Sequence, residues 1–135
     1  MSAEESRRIA LQWIECIAEN RLDDLTALVA PDATWWVSGQ KETAPSARTR
    51  PYADVEKRMK EMYKDKKSSA FTTRGVTTEG DTVVIEGSHR FEFQDDRVYE
   101  NDLMIKFVIK DGKIQSLREY IDRSVFDEFR AAKKN

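Results

Sequence analysis

The stretch DRVYENDLMIKFVIKDGKIQSLREYID, residues Asp96 to Asp122, holds two alternating runs of apolar and polar side chains around one Asp-Gly pair. In the first run the odd-numbered positions from Tyr99 to Ile109 are mostly apolar, whereas most even-numbered positions are charged. A period of two indicates a strand with one buried face, and Asp-Gly is typical of a hairpin turn. The stretch therefore predicts two antiparallel strands, the first of which turns its odd positions inward.

Two more alternating runs precede this stretch. Turn residues at Glu79-Gly80 and Asp95-Asp96 separate these runs, and in the run from Val83 to Phe93 the odd positions are again the apolar ones. Four strands are therefore predicted to form an antiparallel meander from Ser68 onward.

The parity of the loop between the second and third strands decides their register. Residues opposite each other in an antiparallel pair share a face, so two odd faces meet only when the loop holds an odd number of residues. A three-residue loop at 94–96 satisfies this condition. It places His89 opposite Asn101 and Phe91 opposite Tyr99, so that one histidine and one amide meet inside an apolar wall.

The last hairpin allows two registers. A two-residue turn at Asp111-Gly112 would point Arg118 inward, whereas a three-residue loop at 110–112 would place Glu119 inward, opposite Leu103. We favour the three-residue loop, because it leaves a single carboxylate on an otherwise aliphatic inner face.

The N-terminal part of the chain is predicted to be mostly helical. Ser2 and Glu5 form a capping-box signature, and apolar residues at helical spacing predict a helix over residues 3–19. A second short helix at 22–29 is expected to stop before Pro31. The elements that follow are a short strand at 33–37, a polar loop from Gly39 to Arg50 and a third helix that starts at Pro51.

The composition excludes several classes of function. The 23 basic and 25 acidic residues are interleaved along 135 positions, which argues against a nucleic-acid footprint or an anionic-membrane footprint, and the basic pair Lys133 and Lys134 reads as a solvated tail. We find no membrane span and no signal peptide, so we expect a cytoplasmic protein. One cysteine, Cys16, and one histidine, His89, exclude an internal disulfide and a multi-histidine metal site, and Cys16 is expected in the core.

The element order and two sequence blocks resemble a known superfamily. PDATWWVSG, residues Pro31 to Gly39, and the block that opens this section are similar to the SnoaL-like branch of the nuclear-transport-factor-2-like superfamily, which also holds ketosteroid isomerases. The resemblance spans residues 1–135 as a single SnoaL-like domain. It implies a cone-shaped α+β fold, in which a curved mixed or antiparallel sheet and three N-terminal helices close an internal cavity.

The resemblance also implies partners and a candidate acid/base. SnoaL-like cyclases use an inner aspartate on the last strand, and alignment from Gly112 places Glu119 at or near that position. The base of ketosteroid isomerases falls near Val37, so that mechanism is not expected here. The resemblance implies a homodimer through the outer face of the sheet, a small apolar or polycyclic ligand, and neither cofactor nor metal.

Two functions follow as hypotheses. The first is a cofactor-independent isomerase, cyclase or dehydratase in which Glu119 is the acid/base and His89 assists it. The second is a non-catalytic ligand-binding or assembly module, in which Glu119 forms a structural ion pair with Arg74, Arg97 or Arg123. An unpaired Glu119 beside a cavity that reaches His89 would favour the enzyme. The candidate substrate-binding residues are Asn101, Tyr99, Trp35, Trp36, Trp13, Phe91, Leu103 and Tyr63.

Overall fold

Six strands form one curved mixed sheet in the computed structural model, which describes residues 2–39 and 49–132. In chain order the strands are β1 (Val29–Val37), β2 (Arg50–Pro51), β3 (Lys66–Glu79), β4 (Thr82–Phe93), β5 (Val98–Lys110) and β6 (Lys113–Ile121). Their spatial order is β2-β1-β6-β5-β4-β3, and every pair is antiparallel except β1 with β6. The predicted four-stranded meander is confirmed as β3 to β6, and so is the α+β class.

Three α-helices lie against this sheet: α1 (Ala3–Ala18), α2 (Tyr52–Met62) and α3 (Arg123–Ala131). The Ser2 hydroxyl accepts the backbone N–H of Glu5 at 3.1 Å, which confirms the predicted N-cap of α1. Cys16 on α1 is buried and free, as predicted. The buried face of α1 packs on the sheet, so the apolar stripe read from the sequence is core.

The predicted second helix is wrong in type. Residues Leu22–Asp24 and Thr26–Leu28 form two separate 3-10 turns, and Val29 already begins β1. The segment is too short to offset the cost of nucleating an α-helix. Pro31 lies within β1, where the pairing with β6 is irregular between Val29 and Thr34, so its missing N–H breaks no regular ladder.

Two of the three helices expected at the N-terminal side are present as α-helices, α1 and α2. One of the three closing helices is α3, which follows the last strand, so the fold is closed from both ends of the chain. Most of the predicted polar loop (residues 40–48) and the basic tail at Lys133 and Lys134 lie outside the described residues.

The register between β4 and β5 is confirmed. His89 lies opposite Asn101, and Phe91 lies opposite Tyr99. The backbone N–H of Phe93 donates to the carbonyl oxygen of Arg97 at 3.0 Å, which closes the three-residue loop at 94–96.

The three-residue loop predicted for the last hairpin is wrong. Asp111 and Gly112 form a two-residue turn with φ angles of 50° and 78°, the positive values that a type I′ turn requires. Gln115 then bulges out of β6, because Ile109 pairs with Ile114 while the next pair is Val108 with Ser116.

The bulge at Gln115 restores the parity that a third loop residue would have supplied. Glu119 therefore still faces inward, but it lies opposite Ile105 and not opposite Leu103. Arg118, which the two-residue turn alone would have turned inward, stacks on Trp36 at the outer face, 4.0 Å from the ring centroid.

Gly87 marks a close approach of β4 to β3, and we predict that Gly87→Ala is strongly destabilising. A Cβ atom there would clash with the Thr72 carbonyl oxygen and lie 2.6 Å from Cε1 of Phe71. Overpacking of this kind costs about 1–3 kcal/mol, which urea unfolding would measure. Gly75→Ala is the matched control, since its nearest neighbour would be 3.9 Å away. Equal losses for both variants would contradict the prediction.

Candidate functional site

A cavity of about 150 Å³ lies between the sheet and the three helices. Its wall is mostly apolar and aromatic, with residues from β1, β2, α1, α2, β4, β5, β6 and α3. The apolar and aromatic wall residues are Trp13, Ile17, Trp35, Val37, Val55, Met59, Met62, Tyr63, Phe91, Tyr99, Ile121 and Phe126. The polar ones are His89, Glu119, Arg50, Arg58, Arg123 and Arg130. This mixture of an apolar wall and few polar groups is typical of a small-molecule site.

Glu119 projects from β6 into the cavity, and part of its surface stays accessible because it borders that space. Among residues 2–39 and 49–132, no lysine, arginine or histidine lies within ion-pair distance of its carboxylate. Instead, its Oε1 accepts a hydrogen bond from Nε1 of Trp35 at 3.1 Å. Desolvation raises the pKa of Glu119 to about 7, and the Trp35 hydrogen bond offsets only part of this rise.

The ion-pair alternative for Glu119 is therefore not found in the described structure. Arg74 pairs with Asp102, Arg97 with Asp95, and Arg123 with Asp127 at 3.2 Å. Each arginine that could have neutralised Glu119 faces a different carboxylate.

Trp35 is held rigidly enough to present its indole N–H to Glu119. Its ring stacks on Tyr52 with centroids 5.2 Å apart and meets Trp13 edge-on at 5.5 Å. Nε1 of Trp13 donates to the hydroxyl oxygen of Tyr52 at 2.9 Å, which ties the two neighbours of Trp35 together. Such a cluster keeps the donor in place before any ligand enters.

His89 is a buried imidazole with an unused nitrogen. It is 7% exposed, its Nδ1 has no hydrogen-bond partner in the described structure, and its ring packs against Phe71 and Phe91. Desolvation, and to a lesser degree the charge of Lys66, lowers the pKa of His89 to about 3. The imidazole is thus neutral at physiological pH, with one donor nitrogen and one acceptor nitrogen.

Asn101 positions Tyr99 from behind the cavity wall. Nδ2 of Asn101 donates to the hydroxyl oxygen of Tyr99 at 2.7 Å and to the carbonyl oxygen of Asp122 at 3.0 Å, while Oδ1 accepts the N–H of Asp122 at 3.2 Å. The Asn101 amide is thereby fully used. Burial raises the pKa of Tyr99, so the phenol keeps its proton, and that proton is available to a ligand because the oxygen already accepts from Asn101.

Seven of the ten candidate site residues line the cavity: Glu119, His89, Tyr99, Trp35, Trp13, Phe91 and Tyr63. The other three lie elsewhere. Asn101 is behind Tyr99, Leu103 is buried but off the cavity wall, and Trp36 is on the outer face under Arg118. Trp36 points away because neighbouring strand residues alternate between faces.

Sequence patterns did not predict Arg50, Arg58 and Arg130 on the cavity wall, nor any part of α3, and Arg123 was predicted only as a possible partner of Glu119. A signal for α3 was present, since Asp122 precedes apolar residues at helical spacing and its carboxylate accepts the N–H groups of Ser124 and Val125. Nothing comparable points to Arg50 or Arg58, whose place at the cavity depends on how α2 packs.

Two kinds of feature are absent from the described part of the chain. No helix there is both long and apolar enough to cross a bilayer. No group of three or more His, Cys, Asp or Glu side chains there is arranged to hold a metal ion.

Solved structures with this fold are numerous, and three illustrate the range. An NTF2-like protein from Burkholderia xenovorans is 21% identical, with a TM-score of 0.69 over 95% of this chain and 97% of that one. An LEH-like epoxide hydrolase from M. tuberculosis is 15% identical, with a TM-score of 0.74 over 94% and 90%. A putative polyketide cyclase from Acidithiobacillus ferrooxidans is 16% identical, with a TM-score of 0.70 over 96% of each chain. At these identities the likeness shows the fold alone.

Comparison at the level of sequence gives the family. No curated protein matches the chain. The family model described as a SnoaL-like domain matches residues 10–117 and ends two positions before Glu119. Because this match covers well over half of the sequence, the chain belongs to the SnoaL-like domain family.

Proposed function

We propose that this protein is an enzyme that moves a proton next to a carbonyl group of a small ligand, without a cofactor, and that Glu119 is the acid/base. The observation that carries the proposal is a carboxyl group inside an apolar cavity with no cationic partner among the described residues. Its pKa near 7 populates the acid and the base forms together at neutral pH, which is the best condition for proton transfer in both directions.

Each step is assigned to one group of the cavity. The Glu119 carboxylate takes a proton from the carbon beside the carbonyl, the electron pair of that C–H bond forms a C=C bond, and the π pair of the carbonyl group moves onto its oxygen to give an enolate. The Tyr99 hydroxyl and the neutral His89 ring line the same cavity and offer hydrogen bonds to this oxygen. Protonated Glu119 then returns the proton to the same carbon, which gives hydrogen exchange only, or to a conjugated carbon, which completes an isomerisation.

The size of the cavity limits the ligand. A cavity of about 150 Å³ in another protein binds benzene, so this one encloses a single ring or a short chain. Of the two ligand classes that the family resemblance implied, a small apolar ligand fits this volume, whereas a polycyclic one is larger than the enclosed space.

A non-catalytic binding module is the second candidate. The hydrogen bond from Trp35 gives Glu119 a partner in the absence of any substrate, as expected of a structural carboxyl group. Under this alternative the cavity holds a small molecule and Glu119 only orients it. Turnover separates the two candidates, because both predict binding.

The test is hydrogen exchange in D2O, followed by NMR, at the carbons beside the carbonyl of cyclohexanone and cyclopentanone. We expect the protein to exchange these hydrogens faster than buffer does, and the effect to disappear in Glu119→Gln. A ketone that binds in the cavity and still exchanges at the buffer rate would favour the binding module.

A homodimer through the outer sheet face is also part of the proposal, and an exposed patch supports it. Trp36, Arg118, Tyr120 and Met104 are neighbours on adjacent strands, and Met104 and Tyr120 are 46% and 44% exposed. We expect sedimentation velocity to give a dimer for the wild type and a monomer for Met104→Glu, since a buried unpaired carboxylate is costly. Lys57→Glu, on the exposed side of α2, is the control that should remain dimeric. A monomeric wild type would refute the dimer.

A further inference from the structure

Four arginines border a cavity whose wall, in the described residues, carries a single acidic side chain, Glu119. Arg50 comes from β2, Arg58 from α2, and Arg123 and Arg130 from α3. Arg58 and Arg130 are exposed and the other two are half-buried, so they lie at the rim where the cavity opens. Three separate elements thus bring positive charge to one place.

Three of these four arginines have no carboxylate partner among the described residues, unlike several arginines elsewhere on the surface. Arg21, Arg74 and Arg90 each form an ion pair with a nearby carboxylate. Within the described ranges, no carboxylate lies at ion-pair distance from Arg50, Arg58 or Arg130, and Arg123 pairs with Asp127 of its own helix. The rim therefore offers guanidinium groups to an anion from outside the chain.

Phe126 supports two of these arginines from one side. The guanidinium carbons of Arg123 and Arg130 lie 4.6 Å and 5.7 Å from the centroid of its ring. Packing on an aromatic ring occupies the flat face of a guanidinium group and does not itself consume its in-plane N–H donors. Those donors are spaced to match the two oxygens of a carboxylate.

One polar atom beside the same cavity has no hydrogen-bond partner in the described structure. Nδ1 of His89 is buried without a hydrogen bond in the described structure, although the ring borders the cavity. An unpaired buried nitrogen is costly, and a ligand that pairs with it removes that cost. The site thus has a positively charged rim, an apolar wall and, inside, a nitrogen without a hydrogen-bond partner in the described structure.

We propose that the cavity binds a small organic acid, with its carboxylate held by the rim arginines, its single ring or short chain inside, and a polar atom against His89. This assignment deepens the proposed function and rests on it only for the chemistry: as a substrate, the acid carries a ketone within reach of Glu119. The ligand class is therefore a small keto acid.

The probe is 4-oxocyclohexanecarboxylate, and its neutral match is the corresponding carboxamide, which has the same ring and ketone. We expect calorimetry at low salt to show the acid binding about tenfold more tightly than the amide, as charge-assisted hydrogen bonds allow. Arg58→Gln and Arg130→Gln should each reduce this preference. Arg7→Gln, on an exposed part of α1, is the matched control and should leave it unchanged.

Equal affinity for acid and amide would overturn the inference, and so would a preference that survives the double variant R58Q/R130Q. Phenyl phosphate binding more tightly than phenylacetate would overturn the choice of carboxylate. The proposed function fails separately: if the acid binds with the expected preference but its ring hydrogens do not exchange, the anion site stands and the enzyme does not. If cyclohexanone exchanges its hydrogens as fast as the keto acid and binds as tightly, the proposed enzyme stands and the anion site does not.

Discussion

Glu119→Gln is expected to stabilise the protein at about pH 8 by as much as about 3 kcal/mol while it removes proton transfer. Desolvation in the cavity raises the pKa of Glu119 from 4.5 to about 7. In the unfolded chain this group titrates at its ordinary pKa, so between these two values the folded state binds more protons than the unfolded state. Stability therefore falls as the pH rises through this window and stays low above it. Glutamine cannot ionise, so the variant escapes this loss.

Urea unfolding of wild type and Glu119→Gln at about pH 4 and about pH 8 measures the effect. The difference should be small at the lower pH, where wild-type Glu119 is protonated, and large at the higher one. Glutamine keeps an oxygen that can accept from Nε1 of Trp35, so the change removes charge with little loss of structure. Glu128→Gln, at an exposed position of α3, is the control and should not change with pH in this way. Parallel pH profiles for wild type and Glu119→Gln would show that the carboxyl group is not desolvated.

The same variant tests catalysis. Loss of a general acid/base lowers rates by about 100-fold or more, so exchange of ketone hydrogens should fall to the buffer rate. Full activity in Glu119→Gln would remove Glu119 from the mechanism. If the variant is more stable than the wild type and has lost turnover, unfolding cannot be the cause of the lost turnover.

The register of β4 against β5 was predictable because one parity rule decides it. Two apolar faces of the same parity require a loop with an odd number of residues, and the chain offers one at 94–96. The pairing of His89 with Asn101 thus follows from the sequence alone. Which of them borders the cavity could not be predicted, since that depends on the hydrogen bonds of Asn101 to Tyr99 and Asp122.

The last hairpin shows how a correct orientation can follow from a wrong loop. Ile114 and Leu117 have opposite parity, yet both are buried. Only an irregular strand can place them on one face, and the bulge at Gln115 does so. The conflict in the alternation was a sign of this bulge, and it was interpreted as an ambiguity in the loop.

Sequence patterns could not predict the arginines at the cavity rim, because charged residues usually lie in solvent. Arg58 lies on an exposed helix position and Arg130 near the end of the chain, so neither departs from an ordinary amphipathic helix. Their convergence is a property of tertiary packing, in which α2 and α3 both border the same cavity.

His89→Phe is expected to stabilise the protein and to weaken ligand binding. The change removes a buried nitrogen without a partner, which is worth about 1–3 kcal/mol, and the adjoining cavity leaves room for the slightly larger ring. The gain should grow in acid. Burial lowers the pKa of His89 from 6.5 to about 3, so the unfolded chain binds more protons below pH 6.5 and wild-type stability is lost as the pH falls. At about pH 5 this adds as much as about 2 kcal/mol to the difference.

Urea unfolding from about pH 4 to about pH 8 checks this expectation, and His89→Leu guards against a variant that packs badly. Both variants should be more stable than wild type in acid and should bind 4-oxocyclohexanecarboxylate less tightly. A variant less stable than wild type at every pH would mean that a water or another buried group pairs with Nδ1.

The effects of Glu119→Gln and His89→Phe on the free energy of unfolding should be additive. Desolvation is the main cause of both shifts, Lys66 contributes at His89 and Trp35 at Glu119, and neither residue's charge contributes to the pKa of the other. Wild-type stability rises with pH through His89 and falls with pH through Glu119, so the two effects oppose each other between pH 4.5 and pH 6.5. The stability of Glu119→Gln should therefore show only the rise with pH that comes from His89, and the stability of His89→Phe only the fall with pH that comes from Glu119. The double variant should show neither, and a strong departure from additivity would mean that the two side chains are coupled directly across the cavity.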